Sequence, residues 1–216
     1  MDQFPTLDPG VTHLDDADAP SALYRLVGHH LAAERGPAYW VDARNRAAPA
    51  ALYDHLPRRA CRSLRVARAF TGYQHYELVR SLPGVVRQNA SLVVAPAVAA
   101  PYAADDVPEY EARELCAAVR ELLGALATAV DVPVLVTASA EPYAADVRAA
   151  ADRTLDATAT DAGLRVEGAG FRPDVYWDGP GFQTTIPYWV DLLGAVDGAD
   201  EPAANAPPDP AAVPGV

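Results

Sequence analysis

Hydrophobic residues in this chain occur in two arrangements: short, almost wholly apolar runs, and longer stretches in which apolar positions recur every three or four residues. The runs predict buried strands, and the longer stretches predict helices with one apolar face. The predicted strands are 11–14, 38–41, 64–67, 92–94 and 134–137, and the predicted helices are 21–34, 48–56, one after Thr71 and Gly72, and 109–130. Such alternation predicts a mostly parallel sheet covered on both faces.

The last third of the chain has a different pattern. Short, partly alternating runs separated by Gly, Pro and Asp predict antiparallel hairpins at one edge of the sheet, at 155–158, 164–167, 175–177 and 182–186. From Asp197 onward the composition is Ala, Pro, Asp and Gly without periodicity, which is typical of disorder. We therefore expect one core domain over residues 1–196 and a disordered tail over 197–216.

Composition excludes several kinds of chemistry. All 17 basic residues are arginine, against 29 acidic residues, and the formal net charge is −12. Without lysine there can be no Schiff-base lysine, no Ser-Lys dyad and no phosphate-loop lysine. An Asp-rich, lysine-free surface is typical of halophilic proteins, because a carboxylate shell keeps a protein soluble in salt. The absence of a signal-like N-terminus and of a long apolar segment predicts a cytoplasmic protein without membrane contact.

Several local strings resemble the RecA/RadA recombinase superfamily. Residues 39–42 are similar to the family's strand that continues Asp-Thr-Glu-Gly, and residues 64–74 to its ARAF…HQ stretch. Residues 92–96 fall at the Walker B strand, and 136–139 at the family's Val-Thr-Asn-Gln. The resemblance covers roughly residues 8–190 and is greatest to the short, archaeal RadB-like branch. It implies a three-layer RecA-like P-loop NTPase fold, with a mostly parallel sheet and antiparallel C-terminal edge strands.

The departures from this family fall on its catalytic positions. Pro20 and Ser21 stand at the phosphate-loop Lys-Thr, and Arg44 stands at the catalytic Glu. Pro96 replaces the Walker B Asp, and Ser139 the sensor Gln. The degenerate nucleotide site that the resemblance implies is Asp15, Asp16, Asp18, Pro20, Ser21, Asp42, Arg44, Pro96 and Ser139. We expect a pseudo-ATPase without a cofactor, because each aspartate repels a nearby phosphate by about 1 kcal/mol at 4 Å even in water.

The residues also predict how the degenerate site is filled. We expect Arg44 to lie beside Asp15, Asp16 and Asp18, with its guanidinium at the place that lysine and magnesium would take. Pro20 is expected to begin the first helix, which Ser21 can cap, and to close the loop tightly.

Two other interpretations of this edge stay open. His13 with Asp15, Asp16 and Asp18 could hold Mg²⁺ or Mn²⁺ in a metal-dependent enzyme, since carboxylates and imidazole suit these ions. The domain could alternatively sense a nucleotide without hydrolysing it.

Arginine is concentrated in one part of the chain. Residues 25–87 contain eleven of the 17 arginines but only four of the 29 acidic residues. This segment could form a solvated or ion-paired face, a protein-binding surface or a weak nucleic-acid contact. The possible partner surface is Arg58, Arg59, Arg62, Arg65 and Arg68. Our leading hypothesis is a non-catalytic protein that binds a RadA-like ATPase in DNA recombination or repair, or a second copy of itself.

Overall fold

The computed structural model describes residues 4–56, 58–104, 107–138, 142–160, 163–168, 170–171, 175–178 and 181–184. The strands are β1 (Gly10–Asp15), β2 (Ala38–Asp42), β3 (Leu64–Arg68), β4 (Leu92–Ala95), β5 (Pro133–Thr137), β6 (Arg153–Thr160), β7 (Gly163–Glu167), β8 (Val175–Asp178) and β9 (Gly181–Thr184). The helices are α1 (Ser21–Ala33), α2 (Pro49–His55), α3 (Arg58–Ser63), α4 (Gly72–Val85), α5 (Glu109–Val130) and α6 (Ala144–Ala149). A 3₁₀ helix spans Ala100–Ala103. The predicted tail, 197–216, and the predicted domain boundary lie outside the described residues.

One sheet joins all the strands, in the order β3-β2-β4-β5-β1-β6-β7-β8-β9. Pairing is parallel from β3 through β6 and antiparallel between β6 and β7 and between β7 and β8. The predicted α/β class is therefore confirmed, with a mostly parallel sheet and an antiparallel C-terminal edge.

Helices cover the two faces of the parallel part, so that the fold has three layers. Leu14 and Trp40 face α1, α2 and α3, whereas Val41 and Val136 face α4 and α5. Val147 of α6 joins the second core. The central strands are apolar on both sides because each face is covered, which is why they appear in the sequence as continuous apolar runs.

The direction of the connections identifies where a site can form. The chain leaves β1 and β2 toward the face covered by α1, α2 and α3, and leaves β4 and β5 toward the opposite face. At the carboxyl ends of the neighbouring pairs β2/β4 and β5/β1, the two connections therefore leave toward opposite faces of the sheet, which separates the loops there. In open α/β sheets, ligands bind in the crevices that such a separation creates.

The element bounds largely follow local signals in the sequence. The predicted helix 109–130 is found at those bounds, and its chain reverses at Asp131, which has a left-handed φ of 55°. The 3₁₀ helix and α6 were not predicted, because each is too short for an apolar period to be visible. No helix within the described residues is both long and apolar enough to span a membrane.

Gly36, between α1 and β2, is the first position for a test. Its φ is +133°, and a Cβ placed there would lie 2.2 Å from the backbone oxygen of Asn89. We expect Gly36→Ala to lower the free energy of unfolding by about 2 kcal/mol or more. Gly84→Ala is the matched control, because nothing lies within 4 Å of its Cβ position in α4 and alanine favours a helix by about 0.5–1 kcal/mol. Urea unfolding at fixed salt measures the free energy of unfolding of both variants. Equal effects would contradict the close approach of Gly36 to the backbone of Asn89.

Candidate functional site

The loop between β1 and α1 closes on itself. The backbone N–H of Ala19 donates to the carbonyl of Asp16 at 3.2 Å, and the N–H of Ala17 donates to Asp15 Oδ1 at 3.4 Å. An anion-binding nest needs successive backbone N–H groups that point into a shared concavity. Here these two N–H groups are used within the loop, as the predicted closed loop requires.

Helix α1 begins without a side-chain cap. Pro20 stands at the capping position with helical dihedrals, φ −59° and ψ −21°, and Ser21 is the first helical residue. The expectation that Pro20 begins the helix is met to within one residue. The expectation that Ser21 caps it is wrong, because a residue inside the first turn cannot use its hydroxyl as the N-cap acceptor.

Asp16 is a buried carboxylate at the end of β1. Its side chain is 1% exposed, and Arg46 Nη2 lies 3.3 Å from its Oδ2. That oxygen accepts no hydrogen bond within the described part of the chain, so the guanidinium is near it but not aimed at it. Burial raises the pKa of the Asp16 carboxyl above its ordinary value, and the charge of Arg46 opposes that rise.

Arg44 does not fill the place that we expected. Its Nη2 donates to the carbonyl of Ala100 at 3.2 Å, and it forms no ion pair with Asp15, Asp16 or Asp18. The cation beside Asp16 is Arg46, two residues later. The backbone explains where Arg44 lies. Arg44 and Asn45 have left-handed φ values of 60° and 58°, which turn the chain so that the side chain of Arg44 points away from the acidic loop after β1.

Asp42 organises the loop after β2. It is fully buried, its Oδ1 accepts the N–H of Ala47 at 2.9 Å, and its Oδ2 accepts Arg68 Nε at 2.9 Å. Arg68 Nη2 also donates to the carbonyl of Ala47 at 3.2 Å. Both oxygens of this carboxylate are engaged, so Asp42 is placed to fix the ends of two strands.

The remaining acids of the loop face outward. Arg148 of α6 bridges Asp15, at 3.1 Å, and Asp156 of β6, at 2.9 Å. Asp18 is exposed. Within the part of the chain that the structure describes, no three His, Cys, Asp or Glu side chains are arranged to hold a metal ion. The predicted cluster is thus divided: Asp15 and Asp16 point to different arginines.

The ends of β4 and β5 are held by backbone contacts. Thr137 Oγ1 accepts the N–H of Ala97 at 2.9 Å, and Ala97 has a left-handed φ of 48°. Pro96 is buried beside it. His13 Nε2 donates to the carbonyl of Ala138 at 3.1 Å, while its Nδ1 is buried without a partner in the described structure. Ser139 lies outside the described residues.

The predicted arginine surface spans α3 and β3, and among the described residues β3 is the terminal strand of the sheet. Arg59 Nη2 donates to the carbonyl of Ala32 at 3.0 Å, and the guanidinium of Arg65 lies 5.6 Å from the Tyr39 ring centroid. Arg68 turns inward to Asp42. Arg58 and Arg62 are exposed on α3. Of the five arginines, Arg65 and Arg68 lie on β3 and the other three on α3, and the structure uses Arg59, Arg65 and Arg68 in contacts within the chain.

Sequence reasoning missed Arg46, Arg148 and Tyr24. Tyr24 donates its hydroxyl to the carbonyl of Arg46 at 2.7 Å, and its ring stacks on Trp40 at 6.0 Å. For Arg46 a signal existed, because it follows the predicted strand 38–41 by five residues just as Arg44 follows it by three. For Arg148 the signal was weaker: it is the single basic residue of segment 141–148.

Comparison with known proteins adds no family assignment. No model of a known protein family matches the chain, and no curated protein is similar enough to count as a relative. The resemblance to the recombinase superfamily therefore stays a prediction.

The Asp16–Arg46 pair gives the second prediction. Arg46→Ala leaves a buried carboxylate without its cation, so we expect the free energy of unfolding near neutral pH to fall by about 2–3 kcal/mol. The loss should shrink toward acid pH, where Asp16 is protonated. Arg44→Ala is the control for loss of one arginine and should cost less than about 1 kcal/mol. The Asp16–Arg46 ion pair would be contradicted if both variants lost equal stability. It would also be contradicted if adding Asp16→Asn to Arg46→Ala restored none of the lost stability.

Proposed function

We propose that this chain is a non-catalytic, RecA-like domain of the P-loop NTPase type that acts by binding another protein along the open edge strand β3. The observation that carries the proposal is the composition of that edge: a terminal strand flanked by arginines in a molecule whose net charge is −12. The resemblance stated above is the support for a RadA-like ATPase of recombination or repair as the partner, with a second copy of the chain as the alternative.

The loop after β1 supports the non-catalytic part of the proposal. Phosphoryl transfer depends on groups that position the phosphates and neutralise their charge. At the place where the resemblance expects a phosphate, this chain has the buried carboxylate of Asp16, and the loop N–H groups of Ala17 and Ala19 donate within the loop. A triphosphate would have to displace these contacts and approach like charges, so the same observations disfavour nucleotide sensing.

The backbone of β3 supports the binding part. The N–H of Ala69 donates to the carbonyl of Asp42 at 2.9 Å, toward β2. Because successive amides of a strand point to opposite sides, the N–H of Val66 points to the open edge. An exposed edge of this kind can pair with an extended segment of another chain. Val66 is 43% exposed and supplies an apolar contact within the strand.

Charge selects the partner's chemistry. Arg65 is exposed on this strand and Arg62 is exposed just before it, so an acidic extended segment is attracted and a basic one is repelled. The same arginines could contact nucleic acid, but phosphate affinity falls steeply with salt. We therefore propose an acidic protein segment as the occupant of the edge.

The nucleotide half of the proposal has a direct test. Titration calorimetry with ATP and Mg²⁺ should show no binding tighter than about 1 mM, which corresponds to about −4.1 kcal/mol. ADP and an ATP analogue that resists hydrolysis are included as further arms. Micromolar affinity for any of the three would refute the non-binding site and make nucleotide sensing the better function.

The proposed binding of a protein segment along β3 is tested with Val66→Pro. Proline removes the outward N–H and leaves the ladder to β2 intact, since a proline is tolerated on an edge strand whose N–H faces outward. Val66→Thr is the matched control, because it keeps the N–H and the strand propensity. We expect a partner captured from native-host extract at native salt to bind the wild type and Val66→Thr, and to bind Val66→Pro at least about tenfold more weakly.

Two outcomes would contradict the edge proposal. One is a partner that binds all three proteins equally. The other is a wild-type protein that captures nothing and shows no self-association in sedimentation. Unfolding curves of the three proteins show whether Val66→Pro keeps the fold, so that loss of binding is not mistaken for loss of structure.

A further inference from the structure

A separate cleft lies at the carboxyl edge of the sheet, between the loop after β2, the end of β3 and the 3₁₀ helix. Its volume is about 250 Å³. Two cations, an amide, an aromatic ring and three small apolar residues line it: Arg44, Asn45, Arg68, Phe70, Ala69, Pro101 and Ala104. A concave site with apolar walls and a few converging polar groups is the usual form of a small-molecule site.

Arg44 is held in this cleft without an acidic partner. Its Nη2 donates to the carbonyl of Ala100, which orients the guanidinium, and no carboxylate of the described residues forms an ion pair with it. The left-handed backbone is unfavourable at Arg44, because its Cβ lies close to the following carbonyl oxygen, whereas asparagine, the residue at position 45, tolerates it. The chain thus adopts a costly conformation that presents a positive charge with unused N–H donors.

The opposite wall carries an exposed aromatic ring on a fixed backbone. Phe70 is 82% exposed, and its N–H donates to Gln74 Oε1 at 2.9 Å. The N–H of Gln74 in turn donates to Thr71 Oγ1 at 3.2 Å, so the start of α4 is capped. These bonds fix the main chain that bears the ring. A single exposed ring is ordinary on a protein surface, but this one lines the same cleft as Arg44.

We propose that this cleft binds a small aromatic anion, with its carboxylate or phosphate on Arg44 and its ring against Phe70 and Pro101. A guanidinium matches both anions because its planar fork can donate two parallel hydrogen bonds. Pockets for drug-sized ligands usually start at about 300 Å³, so this cleft suits a ligand of about one ring and one charged group. The proposal concerns a ligand site and does not rest on the partner proposed for β3.

The test is a titration of the whole ¹⁵N-labelled protein followed by NMR, at one fixed salt concentration, with three probes. Benzoate and phenyl phosphate carry the two anions, and benzamide is the neutral counterpart of benzoate. We expect saturable, millimolar binding of at least one anion, with the largest shifts at Ala69, Phe70 and Ala104, and about tenfold weaker binding of benzamide. Which anion binds more tightly identifies the natural group as carboxylate or phosphate.

Three variants distinguish anion binding in the cleft from non-specific attraction of anions to arginine. Arg44→Asn keeps a residue that tolerates the left-handed backbone and should weaken anion binding about tenfold. Phe70→Ser should weaken it severalfold. Arg58→Gln removes one arginine outside the cleft and should change affinity less than about twofold. The proposal is overturned if no probe saturates below about 20 mM, if benzamide equals the anions, or if Arg58→Gln and Arg44→Asn have equal effects.

Discussion

The carboxylate of Asp42 is the contact on which the candidate site depends. It lies fully buried at the end of β2, where it accepts hydrogen bonds from the N–H of Ala47 and from Arg68 Nε. Through Arg68 it ties the end of the edge strand to β2, and through Ala47 it closes the loop that carries Arg44 and Arg46. A buried carboxylate must have such partners, since leaving one unpaired costs several kcal/mol.

Because the chain contains no lysine, arginine forms the ion pairs with its carboxylates. Arg46 meets Asp16, Arg68 meets Asp42, and Arg148 bridges Asp15 and Asp156. Arginine suits these positions because its fork serves two acceptors at once and stays charged when partly buried. In Arg148 the two acceptors are residues of different strands, so one side chain links β1 to β6. In a nucleotide-binding domain, such cations neutralise phosphate; here the arginines pair with carboxylates of the same chain.

The edge strand shows how a structural requirement and a binding function can coincide. Natural sheets protect an open edge with charged side chains, because an unprotected edge pairs with any extended chain. Arg62, just before β3, and Arg65, on it, give the strand that protection against other arginine-rich edges. In an otherwise acidic molecule, the same charges leave the edge open to an acidic segment.

The sequence by itself determined the longer elements and their order along the chain. Apolar runs and helical periods are local properties, so helix 109–130 and the first five strands could be placed within about one or two residues. The parallel character of the sheet followed as well, because alternation of strands with helices is the usual pattern of crossover connections between parallel strands.

Only the tertiary structure decided which arginine meets which carboxylate. Arg44 was the natural candidate for the acidic loop, but two left-handed residues turn it toward Ala100 and leave Arg46 beside Asp16. Arg148 reaches Asp15 across 133 positions of the chain, because strand order places β1 between β5 and β6. Local propensity acts over a few residues, whereas these pairings depend on loop direction and strand order, which no local pattern in the sequence records.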